Sequence, residues 1–62
     1  MNRAIELIEK LIEEHKKANY CTDYDDALQS LEDFDEDAPE KIYDAARFET
    51  LVNLLNDLKR GL

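Results

Sequence analysis

The chain has 62 residues and a net charge of −8 at pH 7, and 44% of its residues are hydrophobic. That length leaves room for one domain, spanning residues 1–62, and the aliphatic content is too high for a disordered tail. The negative charge argues against direct contact with DNA or RNA, because Lys and Arg dominate phosphate binding. No apolar run approaches the eighteen or so residues that a membrane span needs.

The first predicted element is an amphipathic helix over residues 2–18. Its apolar residues recur with the 3.6-residue helical period, and the strongly charged side chains fall on the opposite face. Glu6 with Lys10, and Glu13 with Lys17, are spaced four residues apart with the acid first, which favours a helix. The apolar face comprises Ala4, Ile5, Leu7, Ile8, Leu11, Ile12, His15 and Ala18.

A second, shorter helix is predicted from Tyr24 to about Asp33. Thr22 or Asp23 can cap it, because a short oxygen-bearing side chain accepts a hydrogen bond from an amide that the first turn leaves unpaired. The acidic loop that follows contains Phe34, which we expect to hold the loop against the core.

The third helix is predicted from Pro39, a residue that suits a first turn, to Arg60. We expect it to end at Gly61 in the left-handed conformation. Its apolar stripe is wider than a surface helix needs, so the helix either lies across both others or also meets a partner. The sequence therefore predicts an all-α fold, a small three-helix bundle with a long, a short and a long helix.

Negative charge is concentrated in the middle of the chain. Residues 20–44 carry ten acidic side chains against Lys41 alone, whereas the two flanks are close to neutral. Such a segment favours binding of positively charged partners. We expect a non-catalytic acidic module that engages and inhibits a basic, nucleic-acid-handling protein, whose nucleic-acid groove the acids could occupy. The predicted binding residues are Tyr24, Asp25, Asp26, Asp33, Asp35, Glu36 and Asp37.

An alternative interpretation is a structural module that self-associates, for example as a homodimer, or that docks on a larger protein. The contact would then be the wide apolar face of the third helix, and the acids would keep the assembly soluble. The residues of this face are Leu51, Leu54 and Leu58, together with Leu62.

Metal chemistry has weak support. Asp33, Asp35, Asp37 and Asp44 occupy positions 1, 3, 5 and 12 of a calcium-binding EF-hand loop, but Ala38 stands where that loop needs glycine. His15 lies on the apolar face of the first helix, and we expect it to be a partly buried ring that either donates to a backbone carbonyl or lies at the rim of the bundle. We expect no metal and no cofactor.

Catalysis is not expected either. Ser30, His15 and Cys21 fall on different predicted surfaces, and the abundant carboxylates are alike and solvated, whereas acid–base catalysis needs carboxyl groups in different environments. The single cysteine has no partner for an internal disulfide, and no basic-then-apolar leader is visible. A soluble, cytoplasmic protein is the expected setting.

Overall fold

The computed structural model of the protein describes residues 3–61. These residues form three helices and no strand: α1 spans Arg3–Lys17, α2 spans Tyr24–Glu32 and α3 spans Ala38–Arg60. The predicted all-α, three-helix fold is confirmed, and each helix end lies within about one residue of its prediction. Two predicted positions, residue 2 of the first helix and Leu62 of the apolar face, lie outside the described part of the chain.

Helix α3 is the scaffold on which the other two helices pack. Glu9 of α1 pairs with Lys59 near the end of α3, at 3.5 Å, and the ring of His15 lies 5.3 Å from that of Phe48. Because residue numbers rise along α1 as they fall along α3, the two helices are antiparallel. Among residues 3–61, α1 and α2 each pack against α3 and not against each other.

Helix α2 covers the first half of α3, also in the antiparallel direction. The Nζ atom of Lys41 donates to the hydroxyl of Ser30 at 3.3 Å, while Tyr24, at the other end of α2, borders the same hollow as Phe48. The molecule is therefore a helical hairpin. Helix α3 forms one arm, and α1 and α2 together form the other. Its principal extents of 44 × 20 × 11 Å describe a flat rod.

Helix α2 begins at an aspartate cap. Asp23 has an extended backbone, and its Oδ1 accepts hydrogen bonds from the amides of Asp25 and Asp26 at 3.0 and 3.3 Å. This cap is one of the two candidates that the sequence offered.

Helices α1 and α2 end in the same way, with one left-handed residue. Asn19 has φ 60° and Phe34 has φ 59°. In each case two backbone hydrogen bonds close the turn: the amides of Asn19 and Phe34 donate to carbonyls three residues back, and the next amides donate five residues back. This pairing is the Schellman motif, which satisfies carbonyls that the last helical turn leaves unpaired.

The core is small and is built largely from alanine between α2 and α3. Ala27, Ala38 and Ala45 are completely buried, and Ile8 and Ile12 are nearly so beneath α1. Among the described residues, no large side chain is completely buried. Small residues allow the helix backbones to approach closely, but they leave little apolar area to stabilise the fold.

Two predictions about chain conformation are wrong. Phe34 does not hold its loop against the core, because 93% of its surface is exposed at the turn that ends α2. Gly61 is not left-handed: its φ of −73° continues the right-handed helix, and its amide donates to Asp57 in the ordinary helical pattern. Within residues 3–61, no helix combines the length and apolar character needed to cross a membrane.

Candidate functional site

An acidic groove lies beside the first half of α3. It has a volume of about 520 Å³, and the α1–α2 connection at residues 19–22 forms one wall. Five carboxylates and one ammonium group border it: Asp23, Asp26, Asp37, Glu40, Asp44 and Lys41.

Helix geometry explains why these acids converge. Asp37, Glu40 and Asp44 are spaced by three and four residues, so they share one side of α3. The antiparallel packing of α2 brings Asp26 to the same place. Asp23 joins them because the cap it makes fixes its carboxylate at the start of α2. The groove is therefore a product of α2 docking on α3.

Lys41 offsets only part of the negative charge of the groove. Its Nζ atom pairs with Oδ2 of Asp35 at 3.2 Å, outside the groove lining, and donates to Ser30. The hydrogen bond to Asp35 raises the pKa of Lys41 above its ordinary value of 10.5, with smaller contributions from Asp26 and Asp37. Among residues 3–61, none of the five groove carboxylates lies within 4 Å of a basic nitrogen.

Asp35 has a structural part in this arrangement. Its Oδ1 accepts the amide hydrogen of Asp37 at 3.0 Å, and this bond, followed by the one to Lys41, lowers the pKa of Asp35 below its ordinary value of 3.8. Both bonds favour the charged carboxylate. Asp35 thus fixes the turn into α3 and holds Lys41 in place.

The seven predicted binding residues do not form one cluster. Asp26 and Asp37 border the acidic groove, whereas Tyr24 and Asp25 border an adjoining hollow of about 480 Å³ against Phe48 of α3. The others lie in and around the exposed turn between α2 and α3: Asp33, Asp35 and Glu36.

Three groove acids were absent from that predicted set: Asp23, Glu40 and Asp44. All three belong to the acidic segment, and the spacing of Asp37, Glu40 and Asp44 was a signal for the α3 wall of the groove. Nothing in the sequence indicated that α2 would place Asp26 opposite that wall.

Exposed aromatic side chains lie beside the groove and in the turn after α2. Tyr20 and Tyr43 border a neighbouring hollow together with Glu40 and Asp44. Phe34 projects from the turn between α2 and α3, in the same acidic segment. Aromatic groups beside charge are typical of interfaces that combine anchoring with steering.

His15 belongs to the core. It is 3% exposed, its Nε2 donates to the carbonyl of Cys21 at 2.9 Å, and its ring makes an edge contact with Tyr20 at 5.3 Å. The bond to a carbonyl agrees with the first of the two predicted alternatives, but the ring is more deeply buried than expected. The thiol of Cys21 donates in turn to the carbonyl of Asp23 at 3.3 Å.

The calcium-loop spacing does not produce a calcium loop. Pro39 and Asp44 lie within α3, so the last positions of the twelve-residue pattern are helical. Among residues 3–61, no three potential metal-ligating side chains come together in a metal-binding arrangement.

Comparison with known proteins gives no assignment. No protein-family model matches the chain, and no curated protein and no solved structure shows significant similarity to it. The charge and shape of the groove are therefore what bear on function.

Proposed function

We propose that this protein is a non-catalytic acidic module that binds a basic protein through the acidic groove. The observation that carries the proposal is the set of five carboxylates around one hollow without a basic partner within 4 Å among the described residues. Like charges around one hollow repel one another, so a cationic side chain entering the groove relieves the repulsion and adds attraction.

The occupant that fits is a Lys or Arg side chain on the surface of the partner. The groove is partly open to solvent, which suits a long side chain reaching in from outside. An Arg side chain has five donors and can bond two carboxylates at once.

A partner with several such side chains in a row would also bind nucleic acid, because phosphate contacts come from the same residues. Binding to the acidic groove would therefore compete with nucleic acid for that surface. Through this competition, the module would inhibit the binding of nucleic acid by its partner.

Phe34 supplies a second contact in this proposal. Its exposed ring lies between Asp33 and Asp35 in the chain, at the turn after α2, and would pack against apolar parts of the partner once charge attraction has brought the two surfaces together. Buried aromatic anchors account for much of the binding energy in many interfaces.

The test uses a fluorescent nine-residue oligoarginine peptide as a defined basic probe at low salt. The groove variant Asp37→Asn/Glu40→Gln should weaken binding about tenfold, because it removes two converging charges. The control Glu6→Gln/Glu13→Gln removes the same net charge from α1, and we expect a much smaller effect. If both variants weaken binding equally, only net charge matters and the groove is not the site.

A further inference from the structure

A row of leucines on one side of the rod has no covering layer. We call it the leucine face: Leu7, Leu11, Leu51, Leu54 and Leu58. Leu7 is 59% exposed and Leu54 is 45% exposed, and the other three are half-buried at the edge of the α1–α3 contact.

These leucines lie on the same side of the molecule. Leu7 and Leu11 are one helical turn apart on α1, and Arg47, Leu51, Leu54 and Leu58 form one stripe on α3. Leu11 and Arg47 border the same hollow of about 270 Å³ between the two helices. Because Leu11 of the α1 stripe and Arg47 of the α3 stripe meet at this hollow, both stripes face outward from the same surface of the hairpin.

The size of the exposed surface indicates what covers this face. The accessible surface is 4885 Å², whereas a folded chain of 7.3 kDa has about 4,200 Å² on average. The excess of about 700 Å², taken over the whole molecule, is close to the roughly 800 Å² that each partner buries in a standard stable interface.

The shape leads to the same conclusion. The radius of gyration is 13.4 Å, against about 10.6 Å for a compact chain of this length. A rod only 11 Å thick between its Cα atoms has one layer of paired helices where a helical domain ordinarily has two. One further hairpin of the same kind, laid on the leucine face, supplies the second layer.

Charge indicates that a second copy binds the leucine face and not the exposed leucines of α2. It also indicates how the two copies are oriented. Leu28 and Leu31 on α2 are also exposed, but they lie in the segment of residues 20–44, where ten acids face one base and would repel another copy. The leucine face lies on α1 and the second half of α3, where acids and bases nearly balance. An antiparallel arrangement places the two acidic ends at opposite tips.

We propose that the leucine face binds the leucine face of a second copy of this chain in an antiparallel, two-fold symmetric dimer. With the two-fold axis beside Leu54, residues 48–60 of the two α3 helices lie against each other. The acidic grooves, which begin at Asp37 and end at Asp44 on α3, stay uncovered at the two tips. The dimer proposal therefore does not depend on the proposed function of the groove.

Sedimentation equilibrium from micromolar to millimolar protein tests the dimer. We expect twice the chain mass, retained in high salt, because apolar association persists when charge is screened. Leu54→Gln should shift the protein to monomer, whereas Leu31→Gln, at a position of similar exposure on α2, should leave the dimer intact. Circular dichroism shows whether both variants keep their helices.

Two outcomes would overturn the proposal. A monomer at every concentration would mean that no second copy covers the leucine face. Equal dissociation by Leu54→Gln and Leu31→Gln, with helices retained, would mean that the contact lies elsewhere.

Spin labels test the orientation within the dimer. The variant Cys21→Ser/Phe34→Cys carries one label per chain, at the acidic tip. From residue 37 to Leu54, α3 rises about 25 Å, so labels in the antiparallel dimer should lie about 50 Å apart. A separation below about 25 Å would indicate parallel packing and contradict the proposed arrangement.

Discussion

Phe34 occupies a backbone conformation that glycine usually fills. Its φ of 59° places it in the left-handed region, where a side chain costs on the order of 1 kcal/mol. The exposed ring recovers none of this cost through packing within residues 3–61. Asn19 holds the equivalent position after α1 more comfortably, because asparagine tolerates this region.

Replacing Phe34 with glycine should stabilise the protein. We expect Phe34→Gly to raise the free energy of unfolding by about 1 kcal/mol, since the backbone strain disappears and almost no buried surface is lost. Asn19→Gly is the matched control, and its gain should be smaller. Urea unfolding of the three proteins measures both changes. A loss of stability in Phe34→Gly would show that the ring packs in solution.

Asp35 should make stability depend on pH in acid. Its lowered pKa means that the folded protein holds the charged form more tightly than the unfolded chain does. The resulting stabilisation is present above the ordinary value of 3.8 and is lost as pH falls through the lower value of the folded state. Asp35→Asn should therefore lose less stability than the wild type between about pH 5 and about pH 2. Parallel pH profiles in thermal melts would contradict this role.

At the scale of helices, α2 and α3 start differently although an aspartate precedes each. Asp23 caps α2 with two hydrogen bonds, whereas the side chain of Asp37 makes no cap bond to α3. Asp37 has a helical backbone at this position, and the amide of Asp37 is instead bonded by Asp35. The two aspartates look alike in sequence and differ in what they stabilise.

Alanine substitution separates these two aspartates. Asp23→Ala should lower the free energy of unfolding by about 1 kcal/mol, the usual cost of losing a helix cap. Asp37→Ala should change it by less than about 0.5 kcal/mol, as for most surface positions. Urea unfolding provides the measurement. A comparable loss in both variants would mean that Asp37 also stabilises its helix.

The helices were predictable because their signals are local. Periodicity placed α1 and α3, and the cap at Asp23 and the proline at position 39 marked two of the starts. The end of α2 was harder to interpret. Phenylalanine is rare at a left-handed position, so the sequence suggested a buried ring at Phe34, whereas the turn places it in solvent.

At the scale of the whole molecule, the docking of α2 on α3 could not be predicted from local signals. Periodicity shows which face of a helix is buried but not which stretch of another helix it meets. The acidic segment was evident, yet the groove depends on Asp26 lying opposite Asp37 and Asp44. The predicted set of seven residues therefore contains only two of the five groove acids.

Within residues 3–61, α1 and α2 both pack on α3 but not on each other. This arrangement predicts an order of folding. Contacts such as Ser30 with Lys41 close a loop of about ten residues, whereas Glu9 with Lys59 joins the two ends of the chain. Short loops cost less entropy to close, so we expect α2 and α3 to pair in the folding transition state and α1 to dock afterwards.

Folding kinetics can test this order. Ala27→Gly in α2 should mainly slow folding, because α2 is already formed and packed in the transition state. Ile8→Val in α1 should mainly speed unfolding. Stopped-flow measurements across a urea series give both rates, and the reverse pattern would place α1 in the nucleus. In the expected order, α1 can detach while α2 stays packed on α3. The acids on those two helices would then remain together, although the wall at residues 19–22 would lose the bond from His15 to Cys21.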